Sequence, residues 1–95
     1  MEFEWDDLKR VANLSKHRID FGAATRVFDD PDILLRADGR RDYGESRFEA
    51  IGAVEGIVLF VALTWRGAVC RIISARKANE DERETYEEAK RRGRG

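Results

Sequence analysis

The chain has 95 residues, 42% of them hydrophobic and 39% charged, with a formal net charge of −1. This composition predicts one domain over residues 1–95 and argues against binding to nucleic acid by bulk charge. A lone cysteine, Cys70, rules out an internal disulfide and is typical of a cytoplasmic protein. The longest apolar run, residues 57–64, is too short to cross a membrane, so no membrane partner is expected.

The N-terminal residues predict a short strand followed by an amphipathic helix. Phe3-Glu4-Trp5 alternates apolar and polar residues, and Asp6 or Asp7 is suited to cap the start of a helix. At about 100° per residue, this helix has an apolar side, which we expect to face the core, and a polar ridge. The apolar side comprises Trp5, Leu8, Val11, Ala12 and Ser15, and the polar ridge comprises Lys9, Asn13, Lys16 and His17.

A second helix and a short strand are predicted next. Asp20 is suited to cap a helix that Pro31 cannot continue, because proline lacks the backbone N–H group that a helix interior needs. Residues 33–35 are apolar and predict a strand. Residues 36–47 contain two glycines and seven charged residues, so we expect a mobile loop or a flared hairpin there.

Three consecutive strands are predicted in the second half of the chain. Residues 47–54 alternate, and residues 57–64 and 68–75 are largely apolar. Gly56 and Gly67 follow the first two of these strands and allow tight turns, since glycine readily adopts positive φ. The pattern indicates an antiparallel meander.

The chain ends in a predicted helix and a basic tail. Asn79 is suited to cap this helix, with Glu82 three residues later as in a capping box. Tyr86 and Ala89 offer only a narrow apolar stripe, and the residues from about Lys90 onward are expected to form a flexible tail. The whole order, β-α-α-β-β-β-β-α, predicts an α+β fold with two N-terminal helices, an antiparallel sheet of four to five strands, a C-terminal helix, and the helices on one face of the sheet.

The chemistry of the side chains favours RNA cleavage over metal or cofactor binding. One histidine, one cysteine and no carboxylate cluster at ligand spacing argue against a metal site, and no glycine-rich phosphate loop is present, so we expect no cofactor. RNA supplies its own nucleophile, the ribose 2′-hydroxyl. A protein then needs only to accept that proton, stabilise the phosphorane and let the 5′-oxygen be protonated, and arginine suits the phosphorane because its fork matches two phosphate oxygens.

The arginines suited to this chemistry lie in the last strand. No acidic residue occurs between Glu55 and Glu80, a stretch that contains Arg71 and Arg76. Because these two arginines differ by five positions, a regular strand would point them to opposite faces. We expect them to converge only if the ladder ends near residue 74 or 75. Arg47 and Glu49 share one face of their own strand.

Six short motifs cover nearly the whole chain in a fixed order. They are F-E-W-D (3–6), A-N-L-x-K-H (12–17), F-x-x-A-x-x-V-F-D-D-P (21–31), G-E-S-R-F-x-x-I-G (44–52), R-I-I-S-A-R (71–76) and E-R-x-x-Y-E (82–87). Together they resemble the BrnT family of type II toxins. The resemblance implies a RelE-like fold, a ribonuclease that inhibits translation, and a BrnA-like antitoxin whose ribbon-helix-helix part binds operator DNA. It also implies that an antitoxin dimer holds two toxins in a heterotetramer.

The resemblance also points to individual residues. The residues carried over are Lys16, His17, Glu45, Arg47, Arg71, Arg76, Glu82, Arg83 and Tyr86. We assign Arg71 and Arg76 to the phosphate and transition-state charge, with Lys16 and Arg47 assisting. Proton transfer is assigned to His17 or to a carboxylate, Glu45 or Glu49. Two alternatives for the whole protein stay open: a non-catalytic module that modulates a DNA-bound repressor, and a degenerate family member that keeps the fold. For His17 the alternative is a purely structural role at the end of its helix.

Overall fold

The computed structural model describes residues 1–39 and 44–94, which form a five-stranded sheet and helices. The strands are β1 (Glu2–Glu4), β2 (Leu34–Asp38), β3 (Arg47–Val54), β4 (Ile57–Arg66) and β5 (Val69–Lys77), in the spatial order β1-β5-β4-β3-β2. The helices are α1 (Asp7–His17), α2 (Phe21–Ala24), a 3-10 helix (Thr25–Asp29) that continues α2, and α3 (Glu80–Arg94). The predicted α+β class, the two N-terminal helices and the C-terminal helix are therefore confirmed.

The sheet is mixed, and the prediction of a purely antiparallel sheet was wrong in this respect. Strand β1 runs parallel to β5, with Glu4 opposite Arg71, whereas the other three pairings are antiparallel. Turn signals indicate direction only for strands that follow each other closely, and β1 and β5 come from opposite ends of the chain. Residues 36–38, predicted as loop, continue β2 because they pair with β3. Residues 40–43 of that predicted loop lie outside the described residues.

A β-bulge in β5 brings Arg71 and Arg76 to the same face of the sheet. Leu63 pairs with Ile72 and Ala62 pairs with Ser74, so Ile73 is an extra residue in the ladder. One extra residue reverses the alternation of the side chains beyond it. The two arginines therefore converge, although the strand continues to Lys77 and does not end near residue 74.

Helices cover both faces of the sheet, so the prediction that they share one face was also wrong. The larger core lies on the side of α2 and the 3-10 helix and contains Phe21, Val27, Val61, Leu63, Ile72 and Ala75. We call this side of the sheet the core face. On the opposite side, Tyr86 of α3 packs against Ile51 and Phe60. The final helix crosses to the second face because its one large buried side chain, Tyr86, finds an apolar contact there.

Helix α1 turns Asn13, and not its apolar side, toward the protein. Leu8 is 81% exposed and Val11 55% exposed, whereas Asn13, predicted to lie on the outer ridge, is the buried residue of the helix. The Asn13 amide donates to the carbonyl of Ala75 at 2.8 Å, and its Oδ1 accepts from the Ala75 N–H at 3.1 Å. Strand β1 pairs only as far as Arg71. The Asn13 side chain thus satisfies an edge of β5 that has no neighbouring strand.

Close packing on the core face depends on a glycine in β3. A Cβ atom added to Gly52 would lie 3.1 Å from both the Cβ and the carbonyl oxygen of Val27. The 3-10 helix can approach β3 this closely only because position 52 has no side chain. At the other end of the chain, α3 includes Lys90 and continues to Arg94. The flexibility of the basic tail in the free protein stays a prediction.

Candidate active site on the arginine face

The side of the sheet opposite the core face carries Arg36, Arg47, Arg71 and Arg76, and we call it the arginine face. Across it, directly paired residues of all five strands form one line, which we call the polar row: Asp38, Arg47, Thr64, Arg71 and Glu4. Thr64 separates the two arginines of the row, so their Cα atoms are about 10 Å apart at roughly 4.8 Å per strand. This span is suited to holding a phosphate between two guanidinium groups.

The next line of residues toward α3 has small side chains at its centre. Ala62 pairs with Ser74 on one side and with Glu49 on the other, and Glu49 pairs with Arg36. Glu49 is only 7% exposed, and its Oε1 accepts a hydrogen bond from Arg36 Nε at 2.6 Å. Long cationic side chains therefore surround a shallow centre made of alanine, serine and threonine, with a carboxylate at its side.

The arginines of the polar row are held by carboxylates at its ends. Arg71 Nη1 donates to Glu4 at 2.7 Å, and in the described part of the chain this contact occupies one of the five N–H groups of the guanidinium. Arg47 Nε lies 3.7 Å from Glu45, which also lies 4.0 Å from Arg66. Contacts of this length between partly exposed charges are weak ion pairs.

Arg76 is held far more completely, at the edge of α3. Both terminal nitrogens donate to the two oxygens of Glu82, at 2.7 and 2.9 Å, and the guanidinium carbon lies 4.3 Å from the ring centroid of Phe60. Glu82 also accepts from the Asn79 N–H, completing the predicted capping box. Burial raises the pKa of Glu82, but the hydrogen bonds from Arg76 and Asn79 outweigh it and hold the pKa below the usual value.

A second polar contact fixes α3 one turn later. The Tyr86 hydroxyl donates to Asp30 Oδ2, which also accepts from the Ala53 N–H of β3 at 2.7 Å. Burial raises the pKa of Asp30, but these hydrogen bonds outweigh it and lower the pKa overall. Burial and the neighbouring Asp30 carboxylate both raise the pKa of Tyr86, so its hydroxyl keeps its proton and remains a donor.

Lys16 and His17 lie on α1, outside the strands that form the arginine face. Both are in the last turn of the helix, which bonds through Asn13 to the backbone edge of β5 at Ala75. Among residues 1–39 and 44–94, neither side chain forms a hydrogen bond or ion pair with the arginines of the sheet. The Asn13 amide, expected to orient the His17 ring, is bonded instead to the backbone of Ile19 and Ala75.

Comparison with known families identifies the family of this chain. The family described as "Ribonuclease toxin, BrnT, of type II toxin-antitoxin system" matches residues 5–82 of the chain. The chain belongs to the BrnT family. The match contains β2 to β5 and ends at Glu82, the residue that holds Arg76. No curated protein matches the chain.

Membership of the BrnT family confirms the resemblance seen in the six motifs. The family consists of ribonuclease toxins of type II toxin–antitoxin systems, so an antitoxin protein is the expected partner. Among the described residues, no group of three or more His, Cys, Asp or Glu is placed to hold a metal ion. Within that same part of the chain, no helix has the length and apolarity needed to cross a membrane.

The sequence left three residues of this BrnT arginine face unnoticed. They are Arg36, Thr64 and Glu4, which the register places beside Glu49, Arg47 and Arg71. Arg36 could have been found, because Arg36 and Asp38 alternate with the apolar residues Leu35 and Ala37 as in a strand. Glu4 had no local signal, since its position depends on a parallel pairing across the whole chain.

One residue singled out by its rarity, Cys70, has a structural role. It is fully buried on the core face, and burial raises the pKa of its thiol to about 11. The group is therefore an uncharged thiol at neutral pH and a poor nucleophile. This agrees with the interpretation of Cys70 as an apolar core residue.

Proposed function

We propose that this BrnT protein is a metal-independent endoribonuclease that uses the arginine face to cleave RNA. The observation that carries the proposal is the strand register, which pairs Thr64 with both Arg47 and Arg71 and so places the two arginines on the face where Glu49 also lies. Cations and a carboxylate thereby meet around a shallow centre that an RNA strand can enter. Family membership supports the ribonuclease activity, and the arrangement of side chains supports this location for it.

In the proposed step the scissile phosphate lies over Thr64, between Arg47 and Arg71. The 2′-hydroxyl loses its proton to the carboxylate of Glu49 and attacks the phosphorus, forming a 2′,3′-cyclic phosphate as the bond to the 5′-oxygen breaks. The leaving 5′-oxygen takes a proton from solvent. The two guanidinium groups stabilise the charge that accumulates on the phosphorane, which is the largest contribution such a site makes.

Arg76 has a different part in this proposal. Its bidentate ion pair with Glu82 and its stacking on Phe60 join the sheet to α3, so it positions the helix beside the site. Arg36 donates to Glu49 and orients the carboxylate for proton transfer. Glu45, between Arg47 and Arg66, is proposed to keep Arg47 directed across the row.

The proposal includes the partner. A BrnA-like antitoxin with a ribbon-helix-helix DNA-binding part would neutralise the toxin in a heterotetramer and connect it to operator DNA. Arg36, Arg47, Arg71 and Arg76 each lie beside a carboxylate, and the whole chain has a net charge of −1. Binding to DNA by the toxin alone is therefore not part of the proposal.

Purified protein incubated with an end-labelled RNA in excess EDTA tests the reaction. We expect cleavage to continue in EDTA and to leave 2′,3′-cyclic phosphate ends. The matched substrate with one 2′-deoxynucleotide at the cleavage position should remain intact, because the nucleophile is missing. Activity that disappears in EDTA, or cleavage of the 2′-deoxy position, would contradict the mechanism. RNA that stays intact under all conditions would favour the non-catalytic binding module.

The Arg71→Ala variant tests the site. Loss of one well-placed charge donor should lower the cleavage rate by roughly 10²–10³-fold. Arg26→Ala is the matched control. Arg26 is a surface arginine of the 3-10 helix, away from the arginine face, and forms an ion pair with Glu55. Equal activity of Arg71→Ala and wild type would remove Arg71 from the mechanism and with it the proposed location of the site.

A further inference from the structure

The outward side of α1 is an apolar surface that the fold leaves uncovered. Leu8, Val11, Ala12 and Ser15 occur at i, i+3, i+4 and i+7 and are all exposed, with Leu8 81% and Val11 55% exposed. We call these four residues the α1 stripe. Single exposed apolar residues are normal in proteins, but a stripe of this spacing is the pattern by which a helix packs against something.

Within residues 1–39 and 44–94, the side-chain hydrogen bonds that hold α1 come from residues outside the stripe. The helix is fixed from its other side, where Asn13 bonds to Ala75 and Arg10 donates to Asp20 at 2.9 Å. Asp6 caps its first turn through the Lys9 N–H. Because Asn13 and Arg10 hold the helix on one side, the exposed apolar side is available for another protein.

The charges around the stripe indicate what chemistry this partner has. Lys9 and Lys16 flank it on one side and Arg18 on the other, and all three are exposed. Asp7, at the N-terminal end of the helix, is the acidic residue of α1. A segment that covers the stripe should therefore be apolar at its centre and acidic at its margins.

We propose that the α1 stripe is the docking surface for an amphipathic, acidic helix of the antitoxin. The proposal rests on the toxin–antitoxin function proposed above, because that function supplies the partner. A second copy of this chain fits less well, since pairing two stripes would bring Lys9, Lys16 and Arg18 of both copies together. α1 bonds to the backbone edge of β5 at Ala75, whereas the proposed cleavage site lies at Arg71, so the antitoxin would be anchored at a place separate from the cleavage site.

The test measures binding of the labelled antitoxin encoded in the same operon to purified toxin. In the double variant Leu8→Glu/Val11→Glu we expect affinity to fall at least roughly 100-fold, since two central apolar side chains are replaced by charges that repel an acidic helix. Leu35→Glu/Ile57→Glu is the matched control, because Leu35 and Ile57 are also about half exposed and lie elsewhere, and it should bind like wild type. Circular dichroism and the thermal midpoint verify that both variants fold.

Two further measurements separate this proposal from its alternatives. Lys9→Gln should slow association severalfold at low salt and have little effect at high salt, as expected for steering of an acidic partner. Arg71→Ala should bind the antitoxin like wild type, so a failure of the ribonuclease proposal leaves the docking test intact. Wild-type affinity for the antitoxin in the Leu8→Glu/Val11→Glu variant would overturn the proposal. So would a dimer of the wild-type toxin that dissociates in this variant, because the stripe would then bind a second copy of the chain. Binding of RNA, in place of the antitoxin, that depends on the stripe would overturn it as well.

Discussion

Two arginines at opposite ends of the arginine face, Arg71 and Arg76, differ in how many contacts hold them. In the polar row, Arg71 has one short contact, to Glu4 at 2.7 Å. About 13 Å along β5, at roughly 3.3 Å per residue, Arg76 has both terminal nitrogens bound to Glu82 and stacks on Phe60. One arginine is placed to receive a ligand, and the other is already occupied in holding a helix.

The difference teaches that two arginines on the same face of one strand need not share a task. Arginine stabilises a phosphorane only when its fork faces the ligand, and a fork that is bound to a carboxylate in two places must first release it. The neighbours decide which condition applies. At Arg76 the neighbour is the capping box of α3, and at Arg71 it is the edge strand β1.

The largest expected effect is a loss of stability where α3 packs on the sheet, near Arg76. Tyr86 is 1% exposed and is the one large side chain by which α3 enters the sheet. Tyr86→Ala should lower the free energy of unfolding by about 3–5 kcal/mol, as for other buried aromatic residues. Tyr86→Phe, which loses only the bond to Asp30, should cost about 1–3 kcal/mol. Urea unfolding of the three proteins measures both values, and similar stability of Tyr86→Ala and wild type would show that α3 is not anchored there.

The next effect separates the two arginines directly. Arg71→Ala should lower the cleavage rate by roughly 10²–10³-fold, with little loss of stability because the variant loses one ion pair, to Glu4. Arg76→Ala should lower the rate by less and the stability by more. Parallel measurement of single-turnover rates and urea midpoints gives the two quantities for each variant. The reverse pattern would exchange the roles assigned to these residues.

A smaller effect is expected from the ion pair between Arg76 and Glu82. A double-mutant cycle with Arg76→Gln and Glu82→Gln should give a coupling energy of about 1 kcal/mol, since Arg76 is 35% exposed and solvent weakens the attraction. Arg92→Gln with Glu88→Gln, an exposed i,i+4 pair of the same helix, is the control cycle and should couple by about 0.3–0.5 kcal/mol. Equal coupling in the two cycles would mean that the bidentate geometry adds nothing.

The pH dependence of stability tests the same end of the face. The pKa values of Asp30 and Glu82 are lowered in the folded protein from ordinary values of 3.8 and 4.5. A lowered pKa adds stability above the ordinary value, and this stability is lost as the pH falls through the folded value. The free energy of unfolding should therefore decrease below about pH 4.5, and less steeply in Glu82→Gln. An identical slope in the variant would contradict the lowered pKa of Glu82.

The smallest expected effect concerns His17. Because α1 bonds to the backbone edge of β5 at Ala75 and His17 is not part of the polar row, His17→Gln should leave the cleavage rate unchanged within about twofold. A loss of 10²-fold or more, the size expected for general acid–base catalysis, would return His17 to the mechanism. A pH–rate profile of the variant distinguishes a proton-transfer role from a change in folding.

The sequence by itself determined much of this protein through local signals. The caps at Asp6 and Asp20, the tight turn at Gly56 and the capping box of Asn79 and Glu82 depend on residues close in the chain, and all are present. The family followed from motifs spread over most of the chain, including the segment with Arg47 and Glu49.

Only the tertiary structure decided how these elements combine. The parallel pairing of β1 depends on contacts between opposite ends of the chain, and the bulge at Ile73 depends on the register between β4 and β5. Periodicity predicted which residues of α1 are apolar but assigned them to the core. The bonds of Asn13 to the open edge of β5 turned that side outward, because a buried backbone edge must be satisfied and no local pattern shows where it lies.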